Sequence, residues 1–345
     1  MAAAVAALAD GRHQYAELAG LLELRIAIAR DRARSTRIAV DPVTEVTVTC
    51  GAMEAMLVAL LATTGPGDEV LIPGPFYENY PFVVRTVGAV PVAVPLALPG
   101  WRLDIAALRR QVTRHTRAII INTPHNPTGR VFTPEEIAAV VDLCAEHDMV
   151  CVTDEVYDHY VFDERPMVSG WSVPDGRARV IVTGRLSKTL RMTGWRIGYC
   201  AAEPAMTGVL RRIHERTTIG APTPLQHGAA TLGTDDGHQD TVTLATSRDM
   251  LVERLRELGF EVQRPRGRLV RAGRNRQAGP PIERTIGRVI QRARVLVAPG
   301  TSFFTAPRDG DGWVRCTFVR DPATLAAALD RLADFLAGKL IRSKR

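Results

Sequence analysis

Short, uninterrupted apolar runs alternate with helical patterns along the first two hundred or so residues, and this rhythm restricts the chain's fold more than any other feature. Strands are read at Thr47–Thr49, Glu69–Ile72, Val90–Val94, Ala118–Asn122, Val150–Thr153, Val180–Thr183 and Ile197–Ala201. Helical patterns fall between them at Met53–Leu61, Tyr77–Val87 and Pro134–His147. Alternation at this spacing implies crossover units and a mostly parallel sheet. Strands without polar alternation fit a sheet covered by helices on both faces. After about residue 245 the rhythm changes: a long helix at Arg248–Leu258, Phe260–Val262, a helix at Ile282–Ala293, Val295–Val297, Trp313–Phe318 and a last helix at Pro322–Leu336. The expected fold class is therefore α/β, with a large domain over 1–245 and a smaller C-terminal α+β domain over 246–345.

Composition agrees with such a chain. A length of 345 residues suggests about two domains, and 46% apolar residues argue against disorder. No uncharged run reaches the roughly 18 residues of a membrane-spanning helix. The opening MAAAVAALADGRHQ has no basic residues ahead of its apolar run and no convincing cleavage region, so secretion is not expected. Five scattered cysteines (Cys50, Cys144, Cys151, Cys200, Cys316) form no C-x-x-C pair and read as reduced, mostly buried thiols. A cytoplasmic address follows. The net charge of +7 invites nucleic acid as a partner. The arginines are nevertheless spread along the whole chain, dense only at 264–276 and in the tail, without an interleaved aromatic platform. Neither nucleic acid nor membrane is expected as a partner.

One bias is informative. Of 44 basic residues only Lys188, Lys339 and Lys344 are lysines, and the last two lie in a basic tail. Lys188 is thus the single lysine of the first 338 residues. Arginine can neither form an imine with an aldehyde nor act as a base near neutral pH, whereas lysine can do both. Lys188 is a candidate nucleophile.

In open α/β sheets ligands gather beyond the carboxyl ends of the strands. Asn126 stands there in TPHNPTG, Asp154 and Tyr157 in VTDEVYDHY, and Lys188 in TGRLSKTLRMTGWRIGY. Gly51 and Ala52 mark a strand-to-helix turn of the kind that binds anions. Taken singly, Asp154 reads equally well as a helix N-cap, Asn126 as a turn, and Tyr157 or Tyr77 as core aromatics. Together, NPTG, DEVY and SKTLRMTGWRIGY resemble the class I/II aminotransferase family of fold type I pyridoxal-phosphate enzymes, nearest its kynurenine/glutamine-transaminase-like branch. The similar stretches run in order from His13 to about Phe335.

The resemblance implies pyridoxal 5'-phosphate as cofactor and a role for each matching residue. Lys188 would form the Schiff base and shuttle the proton between substrate carbon and cofactor. Asp154 would pair with the protonated pyridine nitrogen that makes the ring an electron sink. Asn126 and Tyr157 would hydrogen-bond the phenolic oxygen, and Tyr77, in PGPFYENY, would stack on the ring. The phosphate would rest on Gly51, Ala52 and Met53, with Ser187 beside Lys188 and Arg196 as a bidentate partner. Tyr15, in HQYAELAG, would reach the phosphate of a neighbouring subunit, which makes a homodimer with shared sites. Arg315, in WVRCTF, would clamp the substrate α-carboxylate alongside Asn126. An arginine inside an apolar strand in any case calls for a buried partner.

Three departures from the family pattern stand out. The chain begins just before Tyr15, where relatives carry a substrate loop and a partner-spanning arm, so either the start is displaced or both are shortened and the pocket more open. Arg185 replaces a phosphate-binding serine three residues before the lysine and could serve as an anion ligand in its stead. RPRGRLVRAGRNRQAGPP stands where relatives have a glycine-aromatic segment.

The expected reaction is transfer of an amino group from an L-amino acid to a 2-oxo acid. A carbon–sulfur β-lyase, or a decarboxylating or oxidative enzyme on the same scaffold, is the alternative. A non-catalytic cofactor-binding relative ranks last. Replacing the nucleophile, Lys188→Ala, is expected to abolish covalent attachment of the cofactor while leaving the far-ultraviolet circular dichroism unchanged. Wild-type turnover in that variant would refute the assignment.

Overall fold

The computed structural model describes residues 1–163, 167–174, 176–186, 192–231, 238–267, 272–275 and 289–337. Two helices, α1 (Ala2–Ala9) and α2 (Leu22–Thr36), precede β1 (Val46–Thr49). Then come α3 (Ala52–Thr63), β2 (Glu69–Gly74), α4 (Tyr80–Thr86), β3 (Val90–Pro95), α5 (Ile105–Gln111), β4 (Thr116–Asn122), α6 (Pro134–Glu146), β5 (Val150–Asp154), β6 (Val180–Arg185) and β7 (Gly198–Ala201). These seven strands form one sheet in the order β1-β7-β6-β5-β4-β2-β3, parallel except for β7. The fold is α/β with a mostly parallel sheet flanked by helices.

The strands explain their own composition. Along β4, Ala118 and Ile120 enter one apolar layer with Val70, Val152 and Ile181, whereas Ile119 and Ile121 enter the opposite layer with Leu71, Cys151 and Val182. Both faces are buried here, so positions 118–121 are all apolar. Local signals set the helix starts. Thr133 and Glu136 form a reciprocal capping box at α6, with Pro134 in the first turn.

The rest of the chain comprises α7 (Pro204–Thr217), α8 (Thr223–Ala230), α9 (His238–Glu257), β8 (Phe260–Glu261), β9 (Ala272–Asn275), β10 (Ala298–Pro299), β11 (Trp313–Arg315) and α10 (Pro322–Leu336). The second sheet is ordered β10-β11-β9-β8 and antiparallel throughout. A third apolar core joins α9 and α10 to Val156, Tyr160 and Phe162, the residues that follow β5.

Several sequence expectations shift. The helix expected from Tyr77 begins at Tyr80: a turn at Glu78–Asn79 leads into it, and ahead of that the Phe76 N–H bonds the Phe303 carbonyl at 2.9 Å. Val295–Val297 is not a strand; pairing starts at Ala298, where the chain comes alongside Arg315. The strand expected over Trp313–Phe318 ends at Arg315. Of the helix expected at Ile282–Ala293, the part before residue 289 lies outside the described residues, and Val289–Ala293 is a π-helical turn. Among the described residues, no helix is long and apolar enough to cross a membrane.

Beneath the carboxyl end of β5 lies a buried ionic network. Arg32, wholly enclosed on α2, donates to Glu155 Oε2 at 2.6 Å, to Ser169 Oγ at 2.7 Å and to Asp158 Oδ2 at 3.2 Å. Its neighbour Asp31 pairs with His159 at 2.9 Å. The charge of Asp158, opposed by burial and aided by the bond to Asp31, lifts His159 to about 9. Removing one member of a buried pair strands the other charge, so Arg32→Met is expected to cost about 3–5 kcal/mol in urea unfolding. Because the folded pKa of His159 exceeds its ordinary 6.5, its stabilisation is full below that pH and lost as pH rises through about 9. The urea midpoint should therefore fall across that window, and His159→Gln should flatten the fall.

Candidate active site

The carboxyl ends of β4, β5 and β6 lie side by side, with Asn122 opposite Asp154 and Asp154 opposite Thr183. Asn122 organises the turn that follows it. Its Nδ2 donates to the Asp154 carbonyl at 2.9 Å, and its Oδ1 accepts the Asn126 N–H at 2.7 Å. Asn126 is buried and turns its Oδ1 to Arg315, whose Nη1 donates at 3.0 Å. Arg315 comes from the end of β11 in the second sheet. Its guanidinium also lies 3.7 Å from Glu78 Oε2 and over the Phe303 ring, 4.7 Å from the centroid.

Asp154 is a buried carboxylate. Oδ2 accepts the Tyr80 hydroxyl at 2.6 Å, and Oδ1 accepts the Val156 N–H at 3.2 Å. Burial pushes its carboxyl above the usual range, while the Tyr80 bond and the Arg185 charge pull the other way. Burial, reinforced by Asp154, pushes the Tyr80 phenol well up, so it stays a donor. Tyr77 meets Tyr80 edge-on at 5.5 Å, and its hydroxyl accepts Asn79 Nδ2 at 2.7 Å. Tyr157 is buried, with the Arg185 guanidinium 5.7 Å from its ring centre. Arg185 ends β6, and its Nε is buried without a hydrogen-bond partner.

On the same side of the sheet, β1 turns into α3. Gly51 has φ +80°, and no side chain caps the first turn of α3, which begins with Ala52 and Met53. Arg196 folds over this turn, with Nη2 3.5 Å from the Cys50 carbonyl. Two glycines make the approach possible. A Cβ on Gly51 would stand 2.6 Å from Arg196 Nη2, and one on Gly198 would stand 2.4 Å from the Gly51 carbonyl carbon. Uncapped N–H groups, a helix dipole and a guanidinium make this an anion cradle.

Asp154, Asn126, Tyr77, Tyr157, Arg185 and Arg315 are thus linked by short contacts or by felt charge, while Gly51, Ala52, Met53 and Arg196 form the cradle. Tyr15 is not part of either group in one chain; it projects outward, 77% exposed. Ser187 and Lys188 lie outside the described residues. Reading by sequence missed Tyr80 and Asn122. Tyr80 lies one helical turn past Tyr77 in a motif already singled out, and Asn122 ends a strand that is otherwise apolar after Arg117.

Residues 1–332 match the family described as aminotransferase class I and II, and the chain belongs to that family. It is similar to aromatic-amino-acid aminotransferase 2 of Thermococcus litoralis, 32% identical over 96% of this chain and 86% of the relative. It is equally similar to an aspartate aminotransferase of Pyrococcus abyssi, 32% identical with the same coverage. Among solved structures, the N-succinyldiaminopimelate aminotransferase of Mycobacterium tuberculosis superposes with a TM-score of 0.91 at 34% identity, covering 97% of this chain and 88% of that one. The protein is a pyridoxal-phosphate-dependent aminotransferase acting on an amino acid and a 2-oxo acid. Its residues fit that cofactor: Gly51 and Gly198 let Arg196 close on the uncapped start of α3, where a phosphate would be held, and the orphaned Arg185 Nε and the buried Asp154 carboxylate offer a further donor and an anion.

Deleting the Tyr80 hydroxyl would leave Asp154 Oδ2 without its donor. Tyr80→Phe is expected to destabilise the full-length chain by about 1–3 kcal/mol in urea unfolding. Most of that loss should vanish when Asp154 is also changed to Ala, which removes the acceptor, as a double-mutant cycle would show.

Proposed function

We propose that this cluster is the catalytic centre and that each residue serves as its surroundings suit it. The observation that carries the reading is the 3.0 Å bond from Arg315 to Asn126, which brings a guanidinium of the second sheet to the carboxyl end of the first, close to Asp154. Bound pyridoxal phosphate supplies an electron sink that acidifies the α-hydrogen of an amino acid. Lys188 is the amine that carries the cofactor, and its Nζ takes up and returns the α-proton. Asp154 faces the pyridine nitrogen with a negative charge that Tyr80 and Arg185 sustain against burial. Asn126 and Tyr157 hold the phenolic oxygen, and Tyr77 covers the ring. The turn at Gly51, Ala52 and Met53 binds the phosphate together with Arg196, Ser187 and Arg185. Arg315 grips the substrate α-carboxylate with two parallel donors, and Asn126, already bonded to it, sets its angle. That grip orients the α-carbon toward the lysine.

We read the assembly as a homodimer in which Tyr15 reaches the partner's phosphate. In support, Tyr15 is exposed, as are the apolar side chains of Val5, Leu8 and Ile219. All five cysteines are free thiols, the state that a cytoplasmic setting maintains. The chain divides into a large cofactor-binding domain and a small one near residue 245, inside α9, whose later turns pack in the third core.

The relatives' names span aromatic, acidic and succinylated substrates, so the amino donor should be found with a panel. The visible band of the purified protein with pyridoxal phosphate should convert stably on adding an accepted amino acid and return on adding a 2-oxo acid. Return without an oxo acid, with pyruvate accumulating, would make the protein a β-lyase instead. Arg315→Lys loses the two-pronged grip. It is expected to lower kcat/KM about 100-fold while affinity for the cofactor stays unchanged.

A further inference from the structure

Glu54 stands in the first turn of α3, three residues past Gly51, and is only 7% exposed. A carboxylate favours a helix N-terminus, but a second anion held at the same terminus would be repelled by it unless its charge were taken up elsewhere. The structure shows where it is taken up. Oε1 accepts Nδ1 of His214 at 2.6 Å and the Thr218 hydroxyl, and Oε2 accepts the Cys50 N–H at 2.5 Å. Burial alone would raise the Glu54 carboxyl, but the bonds from His214 and Thr218 bring it below the usual carboxylate range.

The network grips the anion cradle from beneath. Cys50 is held at both ends, its N–H by Glu54 and its carbonyl by Arg196. His214 is fully buried in the last turn of α7, and its Nε2 has no partner, a cost accepted where Nδ1 serves Glu54. One turn earlier on α7, Arg211 donates to the carbonyls of Val43 and Val46 at 2.8 Å each, and to Thr47 Oγ1 at 3.2 Å. Thus α7 clamps both sides of the turn: β1 through Arg211, and α3 through His214 and Glu54.

We propose that Glu54 is the positioning residue of this turn. It orients the Cys50–Ala52 backbone so that the free N–H groups of α3 face a phosphate, while His214 and Thr218 draw its own charge away from that anion. The proposal rests on the reading of the turn as the cofactor's phosphate site. It differs from an ordinary helix cap in one consequence: its loss should be felt only by ligands that carry a phosphate.

The test titrates the full-length chain, freed of cofactor, with pyridoxal phosphate and separately with pyridoxal, followed by tryptophan fluorescence. The wild type should bind the phosphorylated form much more tightly. Glu54→Gln should weaken pyridoxal phosphate by about ten-fold or more and leave pyridoxal unchanged; His214→Gln and Thr218→Val should move the same way by less. Equal losses for both ligands, or no loss for either, would make Glu54 a structural cap and overturn the proposal. A wild type that does not distinguish the two ligands would instead refute the phosphate assignment itself. Should Glu54→Gln fail to fold, Thr218→Val, at the exposed edge of the network, decides by the same criterion.

Discussion

A carboxylate taken out of water at the end of β5 sets the terms for much of this structure. An isolated buried charge costs several kcal/mol, and the surroundings of Asp154 answer that cost with a tyrosine hydroxyl, a backbone N–H and the nearby charge of Arg185. The backbone carrying it is held as firmly. Asn122 and the Thr123 N–H both bond to its carbonyl. Successive side chains of an extended segment point to opposite faces, so Glu155 is turned away from Asp154 and into the foundation made by Arg32 and Ser169. One acid faces the candidate site, and the next anchors it.

The two halves of the candidate site use opposite electrostatics and sit on different strands. The negative end is Asp154 at the centre of the sheet. The positive end is the start of α3, where close approach depends on the missing side chains of Gly51 and Gly198. Arg185 stands between them: it pairs with Gly198 across the sheet, and its charge is felt at Asp154 and Tyr77. Arg185 therefore brings positive charge into the region between Asp154 and the start of α3.

The second sheet contributes by closure. Arg315 belongs to a three-residue strand whose neighbours, Val314 and Cys316, pack into the third core. The same core takes in Val156 and Tyr157 from the segment after β5, so the packing that builds the smaller sheet also sets where Arg315 meets Asn126.

By itself the sequence determined the α/β class, all seven main strands to within two residues at either end, the signature segments around Asn126, Asp154 and Lys188, and the singular status of that lysine. Those properties depend on spacing along the chain: strand periodicity, capping residues and motif order are local. It also placed the last helix, Pro322–Leu336, correctly, because Asp321 and Pro322 mark its start. Among 41 arginines it singled out Arg185, Arg196 and Arg315 by their motifs, but not Arg32 or Arg211. Arg32 and Arg211 look like any other arginine in sequence, and only the fold decides that one is buried beneath β5 and the other clamps β1, just as only the fold brings Arg315 to Asn126 from 189 positions away. Tyr80 was passed over for Tyr77 and Glu54 was read as one more helical residue, because their partners Asp154 and His214 are 74 and 160 positions distant. The energy of a buried charge is settled by what surrounds it in space, and that is decided only when the chain closes on itself.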